Sequence, residues 1–187
     1  MRINKSHLFK KSVIFFILLP VSVVAVATAI IFLTPQEFHY IQTFTTDGKF
    51  ITSWGSKGDG DGKLLHPHGI AVDSSGNVYI SDDEKNSIIK FTNDGKSITK
   101  WGSYGCGEGQ FREHHGIALD SQDNIYVIDT QNERVQKFSN DGKFIKSWGS
   151  EGTSRGQFWL PHDIFIDSSD IVYVVDSGKV HHKKPAC

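Results

Sequence analysis

Methionine occurs once, cysteine twice and proline five times in 187 residues. Two cysteines as far apart as Cys106 and Cys187 build neither a disulfide framework nor a zinc cluster, and they read as two unrelated thiols. The first 36 residues hold no acid; Arg2, Lys5, Lys10 and Lys11 are their only charges. The remainder holds 16 basic and 21 acidic residues, a net charge of −5. It therefore lacks the basic footprint of a nucleic-acid binder, which argues against nucleic acid as a partner. Against these shortages stand 18 glycines and 12% aromatic residues. That balance favours many short strands and tight turns over helices.

One long apolar run is present. Val13–Leu33 contains no charged residue, and as a helix its 21 residues would span roughly 31 Å, the thickness of a bilayer core. Pro20 lies inside it, which a transmembrane helix tolerates. The basic residues all precede the run, so the positive-inside rule places residues 1–12 in the cytoplasm and the rest outside. A cleaved signal peptide is the rival reading, with Ala25-Val26-Ala27 as its small-residue site, but the apolar run continues six residues past Ala27. The expectation is a single-pass membrane protein with its folded part on the extracytoplasmic side, or a secreted one if the segment is cleaved.

The rest of the chain is periodic. Trp54, Trp101 and Trp148 are 47 residues apart, as are His68, His115 and His162. Asp73, Asp120 and Asp167 keep the interval, and so do Asp82, Asp129 and Asp176. Each unit reads as four strands. In the first full unit, His68-Gly-Ile-Ala-Val-Asp73 is an apolar run fit for a strand covered on both faces. Ser74-Ser-Gly-Asn77 is a turn, Val78-Tyr-Ile80 a second strand, and Ile88-Ile-Lys-Phe91 a half-buried third. Asn93-Asp-Gly95 is a hairpin signal before the outer strand Ile98-Thr-Lys-Trp101. A glycine-rich crossover follows. Four antiparallel strands in a unit of this length describe a propeller blade, too thin to bury its own faces and stable only when stacked. The tryptophans fall on outer strands, where a large ring can cover a blade's edge. The aspartates at strand ends read as turn formers that accept backbone N–H bonds.

The strings His-Gly-Ile-Ala-Val-Asp, Asn-Val-Tyr-Ile-Ser-Asp, Ile-Ile-Lys-Phe, Asp-Gly-Lys and Trp-Gly-Ser resemble the NHL repeat, over residues 38–180. The resemblance implies an all-β chain, a β-propeller of four-stranded blades and most often a six-bladed ring. Two outer strands, two whole blades of about 66–103 and 113–150, and two inner strands make about three blade-equivalents. The repeat register calls for apolar and aromatic residues at 182 and 185, where the chain has His182 and Pro185. Residues 181–187 thus read as an irregular tail, and the chain as a truncated or frame-shifted propeller. Two copies pairing their half blades would close a six-bladed ring as a homodimer.

Chemistry centres on His68, His115 and His162. Each begins an innermost strand, so in a ring all three lie near the axis at one level, with His114 beside them as a further binding candidate at the channel mouth. Converging neutral imidazoles suit zinc or copper. Pro67-His68-Gly69 and Leu160-Pro161-His162-Asp163 also look like strings of the peptidyl-hydroxyglycine lyases, a resemblance that implies a zinc ion on His68, His115 and His162. The sequence departs from that family in three ways. Its histidines come from adjacent blades, Glu84 and Gln131 stand where the family's catalytic tyrosine is expected, and Glu113-His114-His115 lacks the proline. The first expectation is therefore a non-enzymatic scaffold for a protein or small ligand. A metal-dependent lyase is the second and a fragment without independent function the third.

Overall fold

The computed structural model describes residues 41–178. The apolar segment 13–33, the basic segment before it and the tail at 181–187 lie outside the described residues. Among the described residues no helix is long and apolar enough to cross a membrane.

The described residues form four blade sheets in the order the repeat demands, and one short crossover sheet. β1 (Ile41–Phe44) and β2 (Phe50–Trp54) make an antiparallel pair. β3 (Pro67–Val72), β4 (Val78–Asp82), β5 (Ser87–Phe91) and β6 (Ser97–Trp101) make the first full blade, ordered as in the sequence. A crossover with a short parallel pair, β7 (Ser103–Tyr104) and β8 (Gln110–Phe111), leads on. The second full blade is β9 (His114–Leu119), β10 (Ile125–Asp129), β11 (Arg134–Phe138) and β12 (Phe144–Trp148), with a single 3-10 turn at Thr130–Asn132. β13 (Pro161–Ile166) and β14 (Val172–Asp176) form the last pair. Strand limits fall within a residue or two of those read from the repeat, because apolar alternation and turn residues punctuate each unit sharply.

Three apolar clusters sit between successive sheets. Val78, Ile80, Ile89 and Phe91 pack with Trp54 and Leu64 on one face of the first blade. Tyr79 and Ile88, on its other face, pack with Phe111, Ile117, Ile125, Val127 and Phe138 of the second unit. Tyr126, Ile128 and Val135 meet Ile164 of the last pair. The alternation of strand side chains thus feeds two interfaces from one sheet. Each fully buried Phe or Ile there contributes about 1.5–3 kcal/mol.

Two expectations change on inspection. The strand covered on both faces is the second of each full blade, not the first: β4 and β10 are buried at all five positions, whereas β3 alternates and leaves Ile70 53% and Val72 58% exposed. A second strand has sheet neighbours on both edges and blades on both faces; β3 has an interface on one face only. The tryptophans do more than cover an edge. Trp54 packs on Phe91 of the next sheet at 5.0 Å, and Trp101 on Phe138 at 6.1 Å. Both rings lie under the Asp-Gly turn of the following blade, where a Cβ on Gly95 or Gly142 would come within 2.7 Å of them. Of the cysteines, Cys106 is disulfide-bonded and is not the unrelated thiol expected, while Cys187 lies outside the described residues.

Asp73, Asp120 and Asp167 close turns as expected, whereas Asp82, Asp129 and Asp176 hold the crossovers instead. Asp73 accepts the N–H groups of Ser75 and Asn77; Asp120 accepts those of Gln122 and Asn124; Asp167 accepts those of Ser169 and Ile171. Asp82, Asp129 and Asp176 accept the N–H groups of Leu65, Arg112 and Trp159, tying each crossover to its own blade. Burial pushes the Asp120 carboxyl up, but Lys137, Asn124 and Tyr126 together outweigh it and hold it well below the usual carboxylate range. Between blades, the Asp123 carboxylate accepts both the N–H and the hydroxyl of Ser74 at 2.9 and 2.6 Å. Asp170 holds Ser121 in the same way at 2.8 and 2.6 Å.

Candidate functional site

The second residue of each inner strand is a histidine, and close strand approach sets the three in a row. Gly69 follows His68, and a Cβ there would lie 2.5 Å from the carbonyl oxygen of His115. A Cβ on Gly116 would lie 2.8 Å from the Cα of Asp163. Only glycine lets β3 approach β9, and β9 approach β13, this closely. Ser81 reinforces the first contact. Its hydroxyl accepts the Gly69 N–H at 2.7 Å and donates to the His115 carbonyl at 2.6 Å.

The imidazoles of His68 and His115 then lie 4.5 Å apart between centroids, and those of His115 and His162 5.0 Å apart. With Gly69, Gly116 and Asp163 they line an open cleft of about 320 Å³. The Thr130 hydroxyl sits 3.2 Å from His115 Nδ1. Burial, then the neighbouring His68 and His162, push His115 below the ordinary imidazole range, so it is neutral at neutral pH.

In this arrangement the rings of the row do not converge on one point. The His115 and His162 rings are stacked with planes 9° apart. A metal ion lies in the plane of each imidazole that binds it, so two stacked parallel rings cannot share one. The structure instead brings other donors to His68. His66 Nδ1 is 2.8 Å from Asp83 Oδ1 and 3.2 Å from His68 Nε2; His68 Nε2 is 3.3 Å from Asp83 Oδ2. Among the described residues, this trio is the group of three whose donor atoms all lie within 4.8 Å of one another. Sequence reasoning passed over His66 and Asp83. The signal available was a break in the repeat: their counterparts 47 and 94 residues on are Glu113 and Leu160, and Thr130 and Ser177.

His114 is not at the cleft. It is fully buried between the blades, with Nε2 donating to the Ser87 carbonyl at 3.1 Å and its ring stacked on Phe111 at 4.5 Å. Neighbours in a strand face opposite ways, and His115 takes the cleft side. Burial above all pushes the His114 imidazole down from 6.5 to about 4. The unfolded chain therefore protonates first as pH falls, and stability is lost progressively from about pH 6.5 toward pH 4. Urea unfolding should show His114 costing the protein about 2 kcal/mol between pH 7 and pH 5. His114→Gln should flatten that part of the profile; an unchanged slope would assign the acid sensitivity elsewhere.

Residues 64–91 match the family model of the NHL repeat. That stretch of the first full unit is thus similar to an NHL repeat. Residues 110–181 match a second model, DUF5128, described as a 6-bladed beta-propeller. No curated protein gives a significant match. Among solved structures, a catalytically inactive virginiamycin B lyase from Staphylococcus aureus with quinupristin aligns at TM-score 0.50 and 18% identity, over 72% of this chain and 41% of that one. A streptogramin B lyase aligns at 0.50 and 16%, over 72% and 40%. A gluconolactonase from Xanthomonas campestris aligns at 0.41 and 17%, over 61% and 36%. The chain thus spans about two-fifths of the length of the two lyases. At these identities the likeness to the two lyases shows the propeller fold alone.

Proposed function

We propose that this chain is a binding scaffold, tethered outside the membrane by residues 13–33, that offers the histidine-lined end of its inner strands to a protein or small ligand. The observation that carries the reading is the division of labour among the repeated side chains. The strand-end aspartates Asp73, Asp120, Asp167, Asp82, Asp129 and Asp176 are engaged by backbone N–H groups, which accounts for them as structural groups. The imidazoles, by contrast, stand in an open cleft on a rigid frame, as recognition groups do. A photo-crosslinking residue at position 162 in the native membrane should trap a discrete partner, while one at position 122, at the other end of the strands, should not. Equal labelling from both positions, or none from 162, would remove the cleft as the recognition face.

A metal-dependent lyase is the second reading, favoured by the meeting of His66, His68 and Asp83. It requires turnover that is lost in Asp83→Asn and kept in His162→Ala, and the scaffold reading requires none.

A further inference from the structure

We infer that His66, His68 and Asp83 form a site for a divalent first-row transition-metal ion, built into the first blade alone. The inference holds whether the cleft serves a scaffold or an enzyme.

Three observations carry it. The first is spacing. Nitrogen and oxygen ligands about 2.0–2.1 Å from a tetrahedral ion sit about 3.3 Å from one another. The two ring nitrogens here are 3.2 Å apart, and each faces a different oxygen of Asp83, His66 Nδ1 at 2.8 Å from Oδ1 and His68 Nε2 at 3.3 Å from Oδ2. The His66 and His68 rings are 84° apart, so their in-plane lone pairs can meet at one point, as those of His115 and His162 cannot.

The second is hydrogen bookkeeping. His66 Nδ1 has two partners, Asp83 Oδ1 and His68 Nε2, and one ring nitrogen carries one hydrogen or one lone pair. If it and His68 Nε2 each donate to their own Asp83 oxygen, two N–H hydrogens face each other across the 3.2 Å contact between the rings. His68 Nε2 is in the same position between His66 Nδ1 and Asp83 Oδ2. A cation among the four atoms satisfies every lone pair together.

The third is support. The Asp83 N–H donates to the His66 carbonyl at 3.2 Å, and the His66 N–H donates to Asp82 Oδ1 at 3.1 Å. These bonds pin the entry to β3 against the exit of β4 and fix both ligand-bearing backbones in advance. The backbone bond is generic to the repeat, recurring from Thr130 to Glu113 and from Ser177 to Leu160 at 3.2 Å, but the ligand side chains are not. The second and third units hold Glu113 and Leu160, then Thr130 and Ser177, at the equivalent positions. Two imidazoles and a carboxylate, with His66 61% exposed at its side chain, leave at least one position open to water or a ligand.

The test uses the purified full-length chain carrying His181→Ala and His182→Ala, which keeps those imidazoles out of the reading. Dialysed against zinc, it should retain about one equivalent. In competition with a chromophoric chelator, His66→Asn and Asp83→Asn should each weaken zinc binding at least about 100-fold, with circular dichroism unchanged. His162→Ala should stay within about threefold. Cobalt added to the unsubstituted protein gives a reading free of mutation, with intense visible bands of low coordination expected. Retention of less than about 0.1 equivalent of zinc, a pale six-coordinate cobalt spectrum, or zinc lost in His162→Ala but kept in Asp83→Asn would each overturn the site.

Discussion

Replacing Gly69 with valine is expected to cost about 3 kcal/mol and to break the row of histidines. The added Cβ would meet the His115 carbonyl at 2.5 Å, Ile117 Cγ2 at 2.9 Å and Ser81 Oγ at 2.9 Å. One of these is backbone of the neighbouring blade, and the hydroxyl is the one that bonds Gly69 to His115. No side-chain rotation relieves the overlap, so β3 must move away from β9. The midpoint of urea unfolding measures the stability loss. The imidazole signals of His68 and His115 in nuclear magnetic resonance measure the second effect, since rings 4.5 Å apart shift one another's resonances and separated rings do not. A variant with wild-type stability and unchanged imidazole shifts would show that the inner strands are not held at this distance. Asp163, the third-unit counterpart, carries a side chain at this position and stays exposed.

The second large effect lies at Asp129. This carboxylate is fully buried and gathers the Arg112 N–H at 2.9 Å, Asn132 Nδ2 at 2.9 Å, Arg134 Nε at 2.8 Å and Gln136 Nε2 at 2.9 Å. Those partners also bind the crossover. Arg134 donates to the carbonyls of Gly107 and Gln110, and Asn132 donates to that of Gly105. Asp129→Ala leaves a guanidinium and two amides without their common acceptor in a site closed to water. The expected loss is about 3–5 kcal/mol. Asp129→Asn, which keeps one carbonyl acceptor, should lose less. Equal unfolding free energies for the alanine variant and the wild type would show that the charge is screened by water. The first blade solves the same problem differently: Asp82 holds Leu65 and His66, while Lys85 reaches the carbonyls of Gly60 and Lys63.

Much of this molecule was legible along the chain. Trp54, Trp101 and Trp148, the strand-end aspartates and the Asp-Gly turns recur every 47 residues, and each sits where a four-stranded blade needs it. Such positions are readable because their partners are local: Asp73 bonds to residues two and four places on. The candidate site was legible only in part. His68, His115 and His162 do line one cleft, since equal spacing in a repeat becomes equal height on neighbouring strands. Their spacing could not reveal that two of the rings stack instead of converging, nor that His114 turns inward.

What the sequence determined by itself is therefore the blade, its four strands, its turns and the level at which the histidines stand. Short-range hydrogen bonds and the two-residue alternation of strands set all of these. Only the tertiary structure decided which side chains meet across blades: Ser74 with Asp123, Trp101 with the turn at Gly142, and His66 with His68 and Asp83. Those meetings depend on how closely two sheets approach and on the rotation of individual rings. Neither quantity repeats with the chain, because each is set by the packing of side chains far apart in sequence.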